Sequence, residues 1–132
     1  MFSKKFALAA GVAITAVALT GAAAFPAFAH HAAPSVMFSP DTEVVLTGTV
    51  KEFRYSNPHG SLELLVPRGG QNVEWRIVME SPNELEKAGI DETSLRPGEQ
   101  VTVRARPAKR GGASAWLLDV KKSDGTVLSV DE

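Results

Sequence analysis

Ser81-Pro82-Asn83-Glu84-Leu85-Glu86-Lys87-Ala88-Gly89 is the stretch on which the fold of this chain turns. Ser81 reads as a helix N-cap with Glu84 three positions on, the spacing of a capping box. Pro82 fills the first helical position, where its missing N–H costs nothing. Gly89 supplies the stop. The helix so bounded spans about two turns, too short to persist alone. It must therefore pack, with Leu85 and Ala88 as its contact points.

On both sides of this helix the apolar period is two, the period of strands. Upstream, Val44, Leu46, Gly48 and Val50 alternate, and Phe53 and Tyr55 resume in the opposite phase. That slip predicts a bulge near Lys51-Glu52, which bends a strand so that it can serve two sheets. Leu62, Leu64 and Val66 mark a second strand and Pro67 to Asn72 a Gly-rich hairpin loop. Val73, Trp75, Ile77 and Met79 mark a third strand, with Glu74, Arg76 and Glu80 facing away. Downstream, Leu95-Arg96-Pro97-Gly98 is a turn, with Pro-Gly favouring type II. Val101, Val103 and Ala105 form a fourth strand, and Trp116, Leu118 and Val120 a fifth. Asp124-Gly125 then turns into Val127-Leu128.

Three strands, a short helix and two strands, within residues 43–132, is the element order of the OB-fold. The expected fold class is mainly β: a small five-stranded OB-like Greek-key barrel with one short helix between strands three and four. A small β-sandwich is the alternative, but it would not need a helix at that point.

The segment ahead of the barrel reads as an export signal. Lys4 and Lys5 give a positive start, Phe6 to Leu19 is apolar apart from Gly11 and Thr15, and Gly21 and Pro26 break the helix. Ala27-Phe28-Ala29 is a small–x–small cleavage site. The expected division is a signal peptide over 1–29, an extended arm over 30–42 and the barrel over 43–132. Cleavage after Ala24 and a retained membrane anchor are the alternatives. All 15 acidic residues but only 12 of the 14 basic ones lie beyond Ala29, so the 103 residues that follow carry a net charge of −3 with neutral His. With no cysteine in the chain, thiol chemistry, covalent haem attachment and thiolate metal sites are excluded.

Cleavage after Ala29 makes His30-His31 the new amino terminus. An N-terminal His chelates through its amine and ring nitrogen, and a second imidazole completes a three-nitrogen set suited to Cu(II). His59, in Asn57-Pro58-His59-Gly60 between strands one and two, can supply it. Nitrogen ligands of this kind favour copper, nickel or zinc, with copper first. Met37 and Met79 offer thioethers for Cu(I). The plain alternative is that the terminal histidines are solvated and His59 closes its own turn. The expected site is therefore His30, His31 and His59 as metal ligands, with copper the expected metal.

A second set of candidates lies on the barrel face. Arg104, Arg106, Lys109 and Arg110 surround the loop joining strands four and five, which reads equally as a solvated hairpin tipped by Gly111-Gly112. Tyr55, beside Asn57, is the aromatic expected to be exposed, whereas Trp75 shares phase with Ile77 and Met79 and belongs to the core. Export and negative charge argue against nucleic acid, which wants a basic footprint. The expected partners are an envelope protein or a small ligand, with membrane contact only transient, through the signal. No Gly-x-Ser-x-Gly elbow, His-Glu-x-x-His or phosphate-cradling glycine loop occurs. The chain is expected not to be an enzyme.

These residues together resemble an uncharacterised family of small exported bacterial proteins. The resemblance rests on His30-His31, Leu46-Thr47-Gly48-Thr49-Val50, Phe53, Asn57-Pro58-His59, Trp75, Glu80-Ser81-Pro82 before Leu85, and Leu95-Arg96-Pro97-Gly98 leading to Val101-Thr102-Val103. Pro107 and Gly111-Gly112 also fit. It implies a periplasmic OB-type barrel and no established activity. Where members read His-His-Ser-Phe, Ala32-Ala33-Pro34-Ser35 intervenes here before Val36-Met37-Phe38, and Gly60 stands where a larger residue is common. The expected function is an exported binding protein that carries or buffers a divalent metal. The alternatives are a metal-free module using the barrel face and an accessory factor to a metal-dependent oxidoreductase.

Overall fold

The computed structural model describes residues 35–130. Its elements are β1 (Val44–Arg54), β2 (Ser61–Arg68), β3 (Gln71–Val78), α1 (Pro82–Lys87), β4 (Gln100–Pro107), β5 (Ser114–Lys122) and β6 (Val127–Ser129). The phase slip in β1 becomes a bend. The strand pairs with β4 over Val44 to Thr49 and with β2 over Thr49 to Arg54, and the register shifts between Val50 and Glu52. One strand thereby serves two neighbours. The strand order β3-β2-β1-β4-β5 closes on itself through a parallel β3–β5 pairing at Arg76 to Val78, giving a closed five-stranded barrel of the OB type. The sixth strand, β6, extends β5 past the barrel.

The barrel is filled by the residues of one phase. Val50, Leu62, Leu64, Ile77, Met79, Val101, Val103, Ala105, Leu117 and Val120 are all buried in one cluster. Gly48 shares that phase. A Cβ there would collide with the Leu65 carbonyl, so the strand crossing at the bend requires glycine.

The short helix forms as the sequence predicts, with two refinements. Ser81 occupies the N-cap without a side-chain cap hydrogen bond, and Glu84 pairs instead with Lys87 at 2.7 Å. At the other end Gly89, at φ 76°, lets the Gly89 N–H reach the Glu86 carbonyl and the Ile90 N–H reach the Leu85 carbonyl, both at 2.9 Å. This is a Schellman stop. Leu85 and Ile90, its apolar pair, are both fully buried, each contributing about 1.5–3 kcal/mol by burial. Packing against the barrel holds together a helix that local propensity could not.

Three other expectations change. The arm is not extended over its described part: residues 35–37 make a helical turn. The β2–β3 loop shrinks to Gly69-Gly70, because Pro67 pairs with Asn72 and Arg68 with Gln71. In β5 the register slips opposite Arg104/Ala105. Leu117 joins the core cluster in place of Trp116 and Leu118, which are buried outside it. The expected signal peptide and residues 30–34 lie outside the described residues. Among the described residues no helix is long and apolar enough to cross a membrane.

Candidate functional site

The β1–β2 loop is built to present His59. The Asn57–Pro58 peptide bond is cis, and the Ser56 hydroxyl donates to the His59 carbonyl at 3.2 Å. Beyond it, the Gly60 N–H donates to the Glu80 carbonyl at 3.0 Å, and the Gly60 carbonyl accepts from the Met79 N–H at 2.9 Å. The loop is thus stitched to the end of β3. A Cβ on Gly60 would lie 3.1 Å from the Leu85 side chain and 3.2 Å from the Arg54 carbonyl, so a larger residue here would press on α1.

Held this way, the His59 ring stands edge-on to Trp116, with centroids 5.6 Å apart at 82°. Phe38 packs on the same indole at 5.9 Å. The arm reaches this place by pairing with the end of β4. Phe38 bridges to Ala108, the Ser39 N–H donates to the Pro107 carbonyl at 2.9 Å, and the Lys109 N–H donates to the Met37 carbonyl at 3.0 Å. Three rings from three separate segments therefore meet on the outside of the barrel, and each such pair adds about 0.5–1.5 kcal/mol beyond its burial.

His59 is exposed, and its ring makes no hydrogen bond among the described residues. Both ring nitrogens are free to bind a metal or accept and donate hydrogen bonds. His30 and His31 lie outside the described residues. Among the described residues no three His, Asp or Glu side chains are grouped to hold a metal ion. Met79 is fully buried in the core and cannot serve as a thioether ligand, whereas Met37 is 62% exposed.

The other candidates divide sharply. Tyr55 is half-buried, touches Phe53 edge-on and donates its hydroxyl to the Pro82 carbonyl at 2.9 Å. Desolvation, and then the carboxylates of Glu86, Asp91 and Glu92, push its phenol above the usual range. It braces α1. Arg104 is gripped by two carboxylates, donating from Nε to Asp119 at 2.7 Å and from a terminal nitrogen to Glu43 at 2.9 Å. Hydrogen bonds to Glu43 and Asp119 raise its pKa still further. Asn57 is exposed on the loop with His59.

Arg106 differs from Arg104 although both face outward on β4. It sits opposite Trp116, and its Nε is buried with no hydrogen-bond partner among the described residues. Just beyond it, Lys109 and Arg110 line a groove of about 520 Å³ together with Val36, Met37, Phe38 and Ser114.

Sequence reasoning did not bring Phe38 and Trp116 together at this site. The signal for Trp116 was weak, because Ala115-Trp116-Leu117-Leu118 is a continuous apolar run whose phase period-two alternation cannot assign. The signal for Phe38 was only its place among the apolar residues of the arm, Val36-Met37-Phe38, which names no docking partner.

Comparison with known proteins yields a family and a set of structures. A family model described as "Family of unknown function (DUF6152)" matches residues 17–125. None of the curated proteins compared with the chain matches it. Among solved structures, two crystal forms of Rim1, a mitochondrial single-stranded DNA binding protein from S. cerevisiae, are similar. One is 19% identical with a TM-score of 0.47, covering 67% of this chain and 94% of that one. The other is 16% identical with a TM-score of 0.49, covering 62% and 92%.

Proposed function

The chain belongs to the family of unknown function DUF6152, and we propose that it is a small exported binding protein that holds copper through His30, His31 and His59. Export by the signal over 1–29 frees the His30 amine. Amine and ring nitrogen chelate the metal in one six-membered ring, His59 supplies a further imidazole, and His31 stands ready beside it. The role is carriage or buffering of a divalent metal in the periplasm.

What supports this reading is the shared Trp116. The arm, through Phe38, and the loop, through His59, pack on one indole. Six residues lie between His31 and Phe38, and with 35–37 in a helical turn they reach up to about 18 Å at ~1.5 Å per helical and ~3.3 Å per extended residue, enough to return toward the His59 ring.

The test is a calorimetric titration of Cu(II) into protein beginning at His30, into the same protein with one extra residue ahead, and into His59→Ala. The extra residue destroys the amine chelate, and His59→Ala removes the third nitrogen. Each change is expected to weaken binding at least tenfold. Affinity should also fall as pH is lowered below about 7, where the terminal amine holds its proton. Equal affinity in all three, or none in any, rejects the reading.

A second reading, a metal-free module that holds an envelope protein or small ligand on the barrel face, is favoured by Arg106 with its unpartnered Nε. A partner retained equally by wild type and by His30→Ala/His59→Ala, with no metal in either, decides for it.

A further inference from the structure

The charged side chains of this barrel are not distributed evenly. Lys51, Arg54, Arg76, Lys87, Arg104 and Lys122 each pair with a carboxylate at 3.4 Å or less. Lys109 and Arg110, adjacent in the β4–β5 loop, have no such partner among the described residues, and neither does Arg106 close by. Arg68 on β2, Arg96 ahead of β4 and Lys121 on β5 lack such a partner among the described residues too, whereas Arg106, Lys109 and Arg110 fall within five residues where the arm meets the loop.

The same place carries unusual apolar exposure. Val36 is 69% and Met37 62% exposed, on a helical turn held against the loop by the Lys109–Met37 backbone hydrogen bond. With Phe38 they form the apolar part of a groove whose charged part is Lys109 and Arg110, and its volume is about 520 Å³. That volume falls in the range of small-molecule sites, about 300–1,000 Å³. It is too small for a folded partner, and its concavity sets it apart from a surface that lies flat on a bilayer.

We infer that this groove binds a small amphipathic anion, a single carboxylate or phosphate headgroup on a short aliphatic chain. Lys109 and Arg110 take the headgroup by charge-assisted hydrogen bonds, and Val36, Met37 and Phe38 cover the chain. Uncompensated positive charge at Arg106 strengthens the local field that draws an anion in. The occupant is a free amphiphile, not a lipid within a membrane, because the apolar side chains line a cleft. None of this uses His30, His31 or His59, so the groove stands or falls independently of the metal reading.

Octyl phosphate, below its micelle-forming concentration, is the probe, titrated into the protein with whatever amino terminus its host leaves, and followed by calorimetry and backbone amide shifts. One-to-one binding is expected, with shifts concentrated at residues 36–38 and 108–114. Lys109→Glu/Arg110→Glu should weaken it by about tenfold or more, as loss of charge-assisted hydrogen bonds implies. Val36→Ser/Met37→Ser should weaken it by several-fold, and uncharged octyl glucoside should bind far more weakly than octyl phosphate. Equal binding of the charged and uncharged amphiphiles, indifference to the charge reversal, or shifts elsewhere on the barrel would overturn the inference. So would binding to phosphatidylglycerol vesicles without binding to the monomeric probe.

Discussion

The two connections that flank β4 differ in length and charge, acidic before it and basic after it, and the structure uses them in opposite ways. The one before β4 is turned inward. Ile90 and Leu95 are buried in the core, the Asp91 carboxylate accepts from the Thr93 N–H at 2.8 Å and hydroxyl at 2.7 Å, and Lys122 donates to the Ser94 carbonyl at 2.9 Å. The Gly98 N–H donates to the Val50 carbonyl at 2.8 Å, tying the turn to β1. The connection after β4 spends only backbone groups on itself, with Gly111 donating to Ala108 at 3.0 Å and Ala108 to Ser114 at 2.9 Å. Its cations, Lys109 and Arg110, are exposed and have no carboxylate partner among the described residues. A loop that ties Asp91 and Ser94 into hydrogen bonds and buries two apolar side chains is scaffold. A loop that leaves charge unspent beside exposed Val36 and Met37 has capacity for something else.

The sharpest way to break this comparison is to truncate the apolar anchor of the first loop. Leu95→Ala should cost about 2–4 kcal/mol of stability, as buried leucine deletions do, read from the shift in denaturant midpoint. A loss below about 1 kcal/mol would mean that the loop before β4 is as dispensable as the one after it.

Lys122→Met should cost less, about 1–2 kcal/mol, because it removes a half-buried charged hydrogen bond to Ser94 and the 3.4 Å pair with Glu99. Chemical denaturation at neutral pH measures it.

A smaller effect is expected from pH. Hydrogen bonds from Thr93, then Ser94, hold the Asp91 carboxyl below its ordinary range, and those from Thr126 do the same for Asp124. A carboxyl with a depressed folded pKa stabilises the fold in full above its unfolded value near 3.9, and that contribution is lost as pH falls through the lower folded pKa. Thermal midpoints should therefore drop as pH is lowered below about 4. Asp91→Ala should flatten that drop, and an unchanged slope would show that the Asp91 network contributes nothing.

The smallest expected effect is the most diagnostic. Lys109→Ala/Arg110→Ala should leave the thermal midpoint where it is, since neither side chain has a partner to lose among the described residues. A large destabilisation would erase the distinction between the two loops.

Much of the architecture was legible because it is written in periodicity. The reversal of phase between Val50 and Phe53 located the bulge of β1, and Pro97-Gly98 located a turn in which Glu99 donates to Arg96 at 3.2 Å. The candidate site was far less legible. Arg104 and Arg106 look alike two residues apart, and only the positions of Glu43 and Asp119 make one a strut and leave the other unpaired. Tyr55 looked exposed because nothing in its neighbourhood announced Pro82, 27 residues on, as the acceptor of its hydroxyl.

By itself the sequence determined the elements, their order and the barrel they close, because alternation, capping and turn chemistry act over a few residues and leave a local trace. Only the tertiary structure decided that Trp116 turns outward while Leu117 turns in, and that Phe38 and His59 meet on that indole. It alone decided that Lys109 and Arg110 are left without carboxylates among the described residues. Such outcomes depend on which distant side chains arrive at one place, and the closure of the barrel, through the register slip in β5 and the β3–β5 pairing, brings them there.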